Sequence, residues 1–252
     1  MNIKIIICWC ILGMASSCGC KKNSPKAGEV VDWSAYDVGQ VEFWNLSPET
    51  EGAELYARIV PHPEQFIQEC VRQVLNTLYF SPADSIPGVR WITYILKSYD
   101  GISAKSGNPP SITITYSTDW VEKSYKGNMD ALVRDELTHG FQLEPQGIGT
   151  YGTNKTFWAF IEGMADAVRY VNGGFTLDDR PKGGHYMDGY RTTGFFLAWL
   201  TQTKDSDFLR KFNRSTLHVI PWSFQGAIQY ALGEGYDMDR LWEEYMIAMG
   251  DK

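Results

Sequence analysis

A chain of 252 residues, 44% of them hydrophobic and 14% aromatic, carries enough apolar surface for a substantial core, which excludes a disordered polymer. Its 30 acidic and 23 basic residues leave a formal charge of -7, and no Lys/Arg run is longer than Lys21-Lys22. A phosphate-tracking surface therefore has no source, and nucleic acid is not an expected partner.

The N-terminus reads as an export signal. Lys4 supplies positive charge, Ile5 to Leu12 is an apolar stretch too short to span a bilayer, and Gly13-Met14-Ala15-Ser16-Ser17 is a small-residue exit region. Ala15-Ser16-Ser17-Cys18 has the form of a bacterial lipobox, whose cysteine becomes the lipidated first residue of the mature chain. Cys20 is the alternative site, and a plain secretory signal with incidental cysteines is the other reading. The expectation is a lipoprotein signal peptide over 1–17, lipid on Cys18, and a protein held in the bacterial cell envelope, on the periplasmic face or the cell surface, by that lipid only. Cleavage leaves Cys18, Cys20 and Cys70, and with Cys18 lipidated no disulfide framework remains. Cys70 lies on the apolar side of a helical pattern, as a small buried hydrophobe would.

Residues 18–51 carry Lys, Ser, Pro and Gly, then acidic residues, with little periodicity, and read as a tether before a domain over 52–252. Glu54 to Val60 is a strand candidate, broken by Pro61-His62-Pro63. Phe66, Ile67, Cys70, Val71, Val74, Leu75 and Leu78 then share one helical face ahead of Pro82. Strand-like runs follow at Val89 to Leu96, Ile102 to Lys105 and Ser111 to Tyr116, with a turn at Gly107-Asn108-Pro109-Pro110 between the last two, for a small sheet antiparallel in part. After Gly127-Asn128 the pattern turns helical, at about Met129 to Leu143, Phe157 to Val171, Tyr190 to Thr203, Ser206 to Phe212, Trp222 to Leu232 and Met238 to Met249. With no internal repeat and no linker, the layout is one α+β domain: a small N-terminal sheet and a mainly helical C-terminal half.

Asp135 and His139 stand four residues apart and project from one helix face. That is the geometry of the H-E-x-x-H zinc motif, with Glu136 in place and aspartate at the first histidine. Alone, the segment reads equally as a charged, solvated face. In the next helix Glu162 and Asp166 again share a face; a mononuclear zinc hydrolase needs a third ligand and an outer carboxylate, and these two could fill both jobs. Their alternative is to cap or solvate an ordinary helix, against which the run of Trp158, Phe160, Ile161 and Met164 argues for burial.

Four motifs in order resemble the basic secretory protein family of plant and bacterial peptidases, from about Glu54 to the C-terminus. Asp135-Glu136-Leu137-Thr138-His139-Gly140-Phe141-Gln142 is similar to its H-E-M-T-H-x-x-Q, and Phe160-Ile161-Glu162-Gly163-Met164-Ala165-Asp166-Ala167-Val168-Arg169 to its I-E-G-I-A-D-x-V-R. Gly189-Tyr190-Arg191-Thr192-Thr193-Gly194-Phe195-Phe196-Leu197-Ala198-Trp199 resembles G-Y-x-x-T-A-x-F-L-x-W, and Leu241-Trp242-Glu243-Glu244-Tyr245 closes the match. The resemblance implies a zincin-like fold, a peptide or protein substrate, His139 and Glu162 as metal ligands, Glu136 as the general base toward a metal-bound water, and Asp166 supporting a ligand from outside the metal shell. Tyr190 falls on a family tyrosine that could donate to the tetrahedral oxyanion; its other reading is a helix-start aromatic in the core.

Asp135 departs from the family pattern. With Asp135, His139 and Glu162 as ligands, two carboxylates cancel the charge of zinc and weaken it as a Lewis acid, and the same donor set suits manganese. Two functions follow: a metallopeptidase with zinc or manganese, or a pseudopeptidase lipoprotein that keeps the fold as a surface binding module without metal. Other patterns are discounted. Gly147 to Gly152 satisfies G-x-G-x-x-G outside a strand-turn-helix context and reads as the connection between the two site helices. Asn154-Lys155-Thr156 and Asn213-Arg214-Ser215 match glycosylation acceptors, Trp199, Trp222 and Trp242 fall in apolar helix patterns, and His185 reads as a surface loop residue.

Overall fold

The computed structural model describes residues 31–124 and 136–252, so the export signal, Cys18, Cys20 and Asp135 lie outside the described residues. Four strands, β1 (Gln40–Asn45), β2 (Trp91–Lys97), β3 (Ser103–Asn108) and β4 (Ser111–Ser117), form one sheet in the order β1-β2-β4-β3. The β1/β2 and β2/β4 pairs are parallel and the β3/β4 hairpin is antiparallel, with β3 at one edge of the sheet. Alternation buries Ile92, Tyr94 and Leu96 of β2 beside Ile112, Ile114 and Tyr116 of β4, rung for rung.

Two features differ from the sequence expectation. β1 lies inside the stretch read as tether, and Trp33 and Val38 ahead of it are buried, so structured chain begins well before residue 52. The strand expected over Glu54 to Val60 is instead helix α1 (Glu51–Ile59). Its decisive signal lies before that window: Thr50 accepts a hydrogen bond from the Ala53 N–H at 3.2 Å, with Glu51 and Glu54 in the first turn. Ala53, Tyr56 and Val60 then fall on the buried face, a helical spacing rather than an alternation.

Helix α2 (Pro63–Leu78) follows, with proline at its start and the expected face of Ile67, Cys70, Val71, Val74, Leu75 and Leu78 buried. Together α1 and α2 form the crossover that joins parallel strands β1 and β2. A short α3 (Thr118–Ser124), absent from the sequence reading, leaves β4 directly. Among the described residues the C-terminal half contains a helical segment over 136–141 (α4), α5 (Lys155–Val171), α6 (Tyr190–Thr203), α7 (Phe208–Ser215), α8 (Phe224–Leu232) and α9 (Met238–Ala248). No helix among them is long and apolar enough to cross a membrane. Trp222 and Trp242 are buried, and Trp199 packs half-buried against the same core.

Both glycosylation-like asparagines have structural work. Asn154 caps α5 by accepting from the N–H groups of Thr156 and Phe157 at 2.8 and 3.0 Å. Asn213 is fully buried; its Oδ1 accepts from the Leu143 N–H at 2.9 Å and its Nδ2 donates to the Leu78 carbonyl at 3.3 Å. The Tyr79 hydroxyl donates to the Phe141 carbonyl, and the Trp222 N–H donates to that of Gln146 at 2.9 Å. The chain leaving α4 is therefore tied to α2, α7 and the approach to α8.

Helices α5 and α6 meet at backbone contact. A Cβ on Gly163 would stand 2.3 Å from Thr193 Cγ2, and one on Gly194 would stand 2.7 Å from Asp166 Cβ and 2.9 Å from the Ala167 nitrogen. Gly194→Ala is expected to destabilise the domain by about 1–3 kcal/mol through overpacking, whereas Gly152→Ala, whose Cβ meets nothing within 4 Å, should change stability by less than about 0.5 kcal/mol. Urea denaturation of the two variants measures this, and equal midpoints would show that α5 and α6 are not held at backbone contact.

Candidate active site

α4 and α5 bring Glu136, His139, Glu162 and Asp166 to one wall of a groove of about 1410 Å³, with edge strand β3 on another side and the start of α6 on a third. Glu136, Glu162 and Asp166 are buried. Ser103 on β3 donates its hydroxyl to Glu136 Oε1 at 2.7 Å, and the Lys105 backbone also hydrogen-bonds this carboxylate. Burial nevertheless raises the pKa of Glu136 above the usual carboxylate range, against the lowering effect of those bonds and of Arg169 and Lys105.

His139 Nε2 faces Glu162 Oε2 at 3.9 Å. Burial, then the nearby Lys105 charge, brings the imidazole down to about 4, so it is neutral at pH 7 and this is not an ion pair. Two ligands at ordinary zinc distances in tetrahedral geometry stand about 3.3 Å apart, a few tenths of an ångström closer than this pair. Burial also raises Glu162, with a hydrogen bond from Tyr151 opposing and the Glu136 and Asp166 charges adding to the rise.

A neutral histidine coordinates through Nε2 when Nδ1 carries its proton and donates it. Gln142 Nε2 lies 3.1 Å from His139 Nδ1, while Gln142 Oε1 is buried with no hydrogen-bond partner. Turning this amide over gives the orphaned oxygen the Nδ1 proton and leaves the Nε2 lone pair toward Glu162. The donor set therefore fits a divalent ion at His139 and Glu162, beside the Glu136 and Asp166 charges that raise Glu162. Among the described residues no group of three His, Cys, Asp or Glu could by itself hold a metal, and the third expected ligand, Asp135, lies outside them.

Tyr190 lines the groove and is 53% exposed, so it is not a core aromatic. It has φ of 41°, a left-handed conformation unusual for a non-glycine residue, follows Gly189 at φ 69°, and sets its ring edge-on to Trp158 with centroids 5.4 Å apart. His185 is exposed on the loop before it. Tyr151 is a site residue that sequence reasoning missed. It sits in the discounted glycine-rich connection and donates its hydroxyl to Glu162 Oε1 at 2.7 Å. Ser103, Lys105 and Gln142 were also without an assigned role; of these only Gln142 belongs to a quoted motif.

The family described as "Peptidase of plants and bacteria" matches residues 38–245. No curated protein and no solved structure matches the chain.

Because native His139 keeps its neutral form down to about 4 while the unfolded chain protonates near 6.5, the unfolded state binds more protons between those values. Its contribution to stability is thus fully present above about 6.5 and is lost as the pH falls toward 4, by about 2–3 kcal/mol. Glu136 and Glu162, raised in the native state, act in the opposite direction. Denaturation of the chelated protein near neutral pH and again near 4.5 should therefore show a smaller acid loss in His139→Gln than in the parent; equal losses would mean that His139 titrates normally.

Proposed function

Because the chain belongs to the family of peptidases of plants and bacteria, we propose that it is an exported, lipid-anchored metallopeptidase. In this reading Glu136 is the general base, and His139, Glu162 and Asp135 hold a zinc or manganese ion. The observation that carries it is the approach of His139 Nε2 to Glu162 Oε2 at 3.9 Å in the same groove as the buried Glu136. Lys4, the short apolar stretch and the lipobox ending at Cys18 support export and anchoring.

When bound, the ion supplies Lewis-acid polarisation of the scissile carbonyl. Glu136 accepts a proton from the attacking water. Its raised pKa makes it a stronger base than an exposed carboxylate, and the Ser103 hydroxyl and the Lys105 backbone hold the carboxylate in place. Gln142 holds the imidazole of His139, and Tyr151 holds Glu162, each from the side away from the reacting centre. Asp166, one turn beyond Glu162, adds negative charge that favours a cation. Tyr151 already directs its proton to Glu162, so the oxyanion donor is assigned to Tyr190, whose ring is braced by Trp158.

Asp135 in place of the first motif histidine favours a second reading, a pseudopeptidase that binds peptides at the cell surface without metal. Metal analysis of natively purified protein separates the two: near-stoichiometric zinc or manganese is expected, and none would leave only the binding module. Glu136→Gln should keep the metal and lose hydrolysis of internally quenched peptides by about a hundredfold or more, whereas unchanged activity would remove Glu136 from the role of base. Tyr190→Phe should lower kcat by about a hundredfold with metal content unchanged. Asp135→His should raise zinc affinity, and a fall would take Asp135 out of the ligand set.

A further inference from the structure

The groove runs beyond the reactive carboxylates to the C-terminal end of α5 and the first turn of α6, where Arg169, Phe175 and Arg191 line it. The Arg169 guanidinium carbon lies 3.9 Å from the centroid of the Phe175 ring, and that of Arg191 lies 6.0 Å from the same centroid. One ring thus gathers two cations at the groove wall.

Among the described residues neither cation has an acid of its own. Arg180 makes a bidentate pair with Asp251 at 2.6 and 2.9 Å, and Arg210 and Arg214 each meet an aspartate. Among the described residues no carboxylate lies within ion-pair distance of Arg169 or Arg191, and Arg169 Nε is buried with no hydrogen-bond partner. Asp179, the acid of the neighbouring loop, accepts through Oδ2 from the backbone N–H and hydroxyl of Thr176 at 2.9 and 3.1 Å. Arg191 donates Nη1 to the backbone carbonyl of Asp179 at 3.2 Å.

A guanidinium stacked on an aromatic ring and short of acceptors is matched by a planar anion with two oxygens. We propose, resting on the peptidase reading, that Arg169 and Arg191 about Phe175 form a subsite for a carboxylate of the peptide substrate, either its C-terminal carboxylate or an acidic side chain. Arg169 and Glu136 line the same groove, so a peptide lying along it meets both the subsite and the general base. Although the whole chain carries a charge of -7, this end of the groove selects anionic substrate.

Isothermal titration calorimetry with the full chain tests the subsite through three probes: N-acetyl-trialanine as the free acid, the same peptide as its C-terminal amide, and the amide with glutamate at the central position. The free acid should bind about tenfold or more tightly than the amide if the terminal carboxylate is the ligand. A gain by the glutamate-containing amide instead assigns the subsite to an acidic side chain. Either preference should be lost in Arg169→Gln, reduced in Arg191→Gln, and weakened by added salt. Arg191 is exposed, so its variant serves as a test even where Arg169→Gln fails to fold. Equal affinity for all three peptides, or a preference that survives both substitutions, overturns the subsite. Preference without hydrolysis would remove only the peptidase reading, and hydrolysis without preference would remove only the subsite.

Discussion

The backbone contact between α5 and α6 is the constraint on which the candidate site depends. Gly163 receives Thr193 and Gly194 receives Asp166, so the two helices approach more closely than side chains with a Cβ would permit. That contact sets Glu162, Asp166 and Arg169 of one helix beside Tyr190 and Arg191 of the other, along one groove. A looser pairing would open the groove between the carboxylates and the tyrosine, and an error of about an ångström is enough to disable a catalytic constellation. The left-handed turn through Gly189 and Tyr190 starts α6 at the height required.

Within that frame the electrostatics have one direction. Carboxylates raised by burial are costly in their charged form unless a cation joins them, and a buried imidazole held neutral keeps a lone pair to offer. Glu136 and Glu162 are in the first condition and His139 is in the second. Lys105 and Arg169 flank the cluster and offset part of its charge.

The legible parts of the fold were those with local signals. Pro63 at the start of α2, seven apolar positions on one face, and the helical pattern from Tyr190 to Thr203 mark their helices without reference to anything distant. β1 has no such mark: Val41 and Phe43 are only half-buried on an edge, and the strand exists because it pairs with β2, which is remote in sequence. The helical signal of α1 lies in its Thr50 cap, ahead of the apolar residues that by themselves resemble a strand. In the site, Glu136, His139, Glu162 and Asp166 announce themselves by helical spacing and motif. Tyr151 and Ser103 do not, since a loop tyrosine and an edge-strand serine acquire a role only when the chain brings them against Glu162 and Glu136. Arg169 stood within a quoted motif, but its meaning lies in the ring of Phe175 and the absence of an acid within ion-pair distance among the described residues.

The ties that hold the chain beyond α4 set an order of assembly. Leu143 hangs on Asn213 and Gln146 on Trp222, so beyond the early tie from Tyr79 to Phe141 the segment following Glu136 and His139 is fixed by residues made much later. A nascent chain that has passed α5 already contains Glu136, Glu162 and Asp166 but not these two later anchors. The candidate groove is thus completed by the last third of the chain, a built-in delay in its assembly.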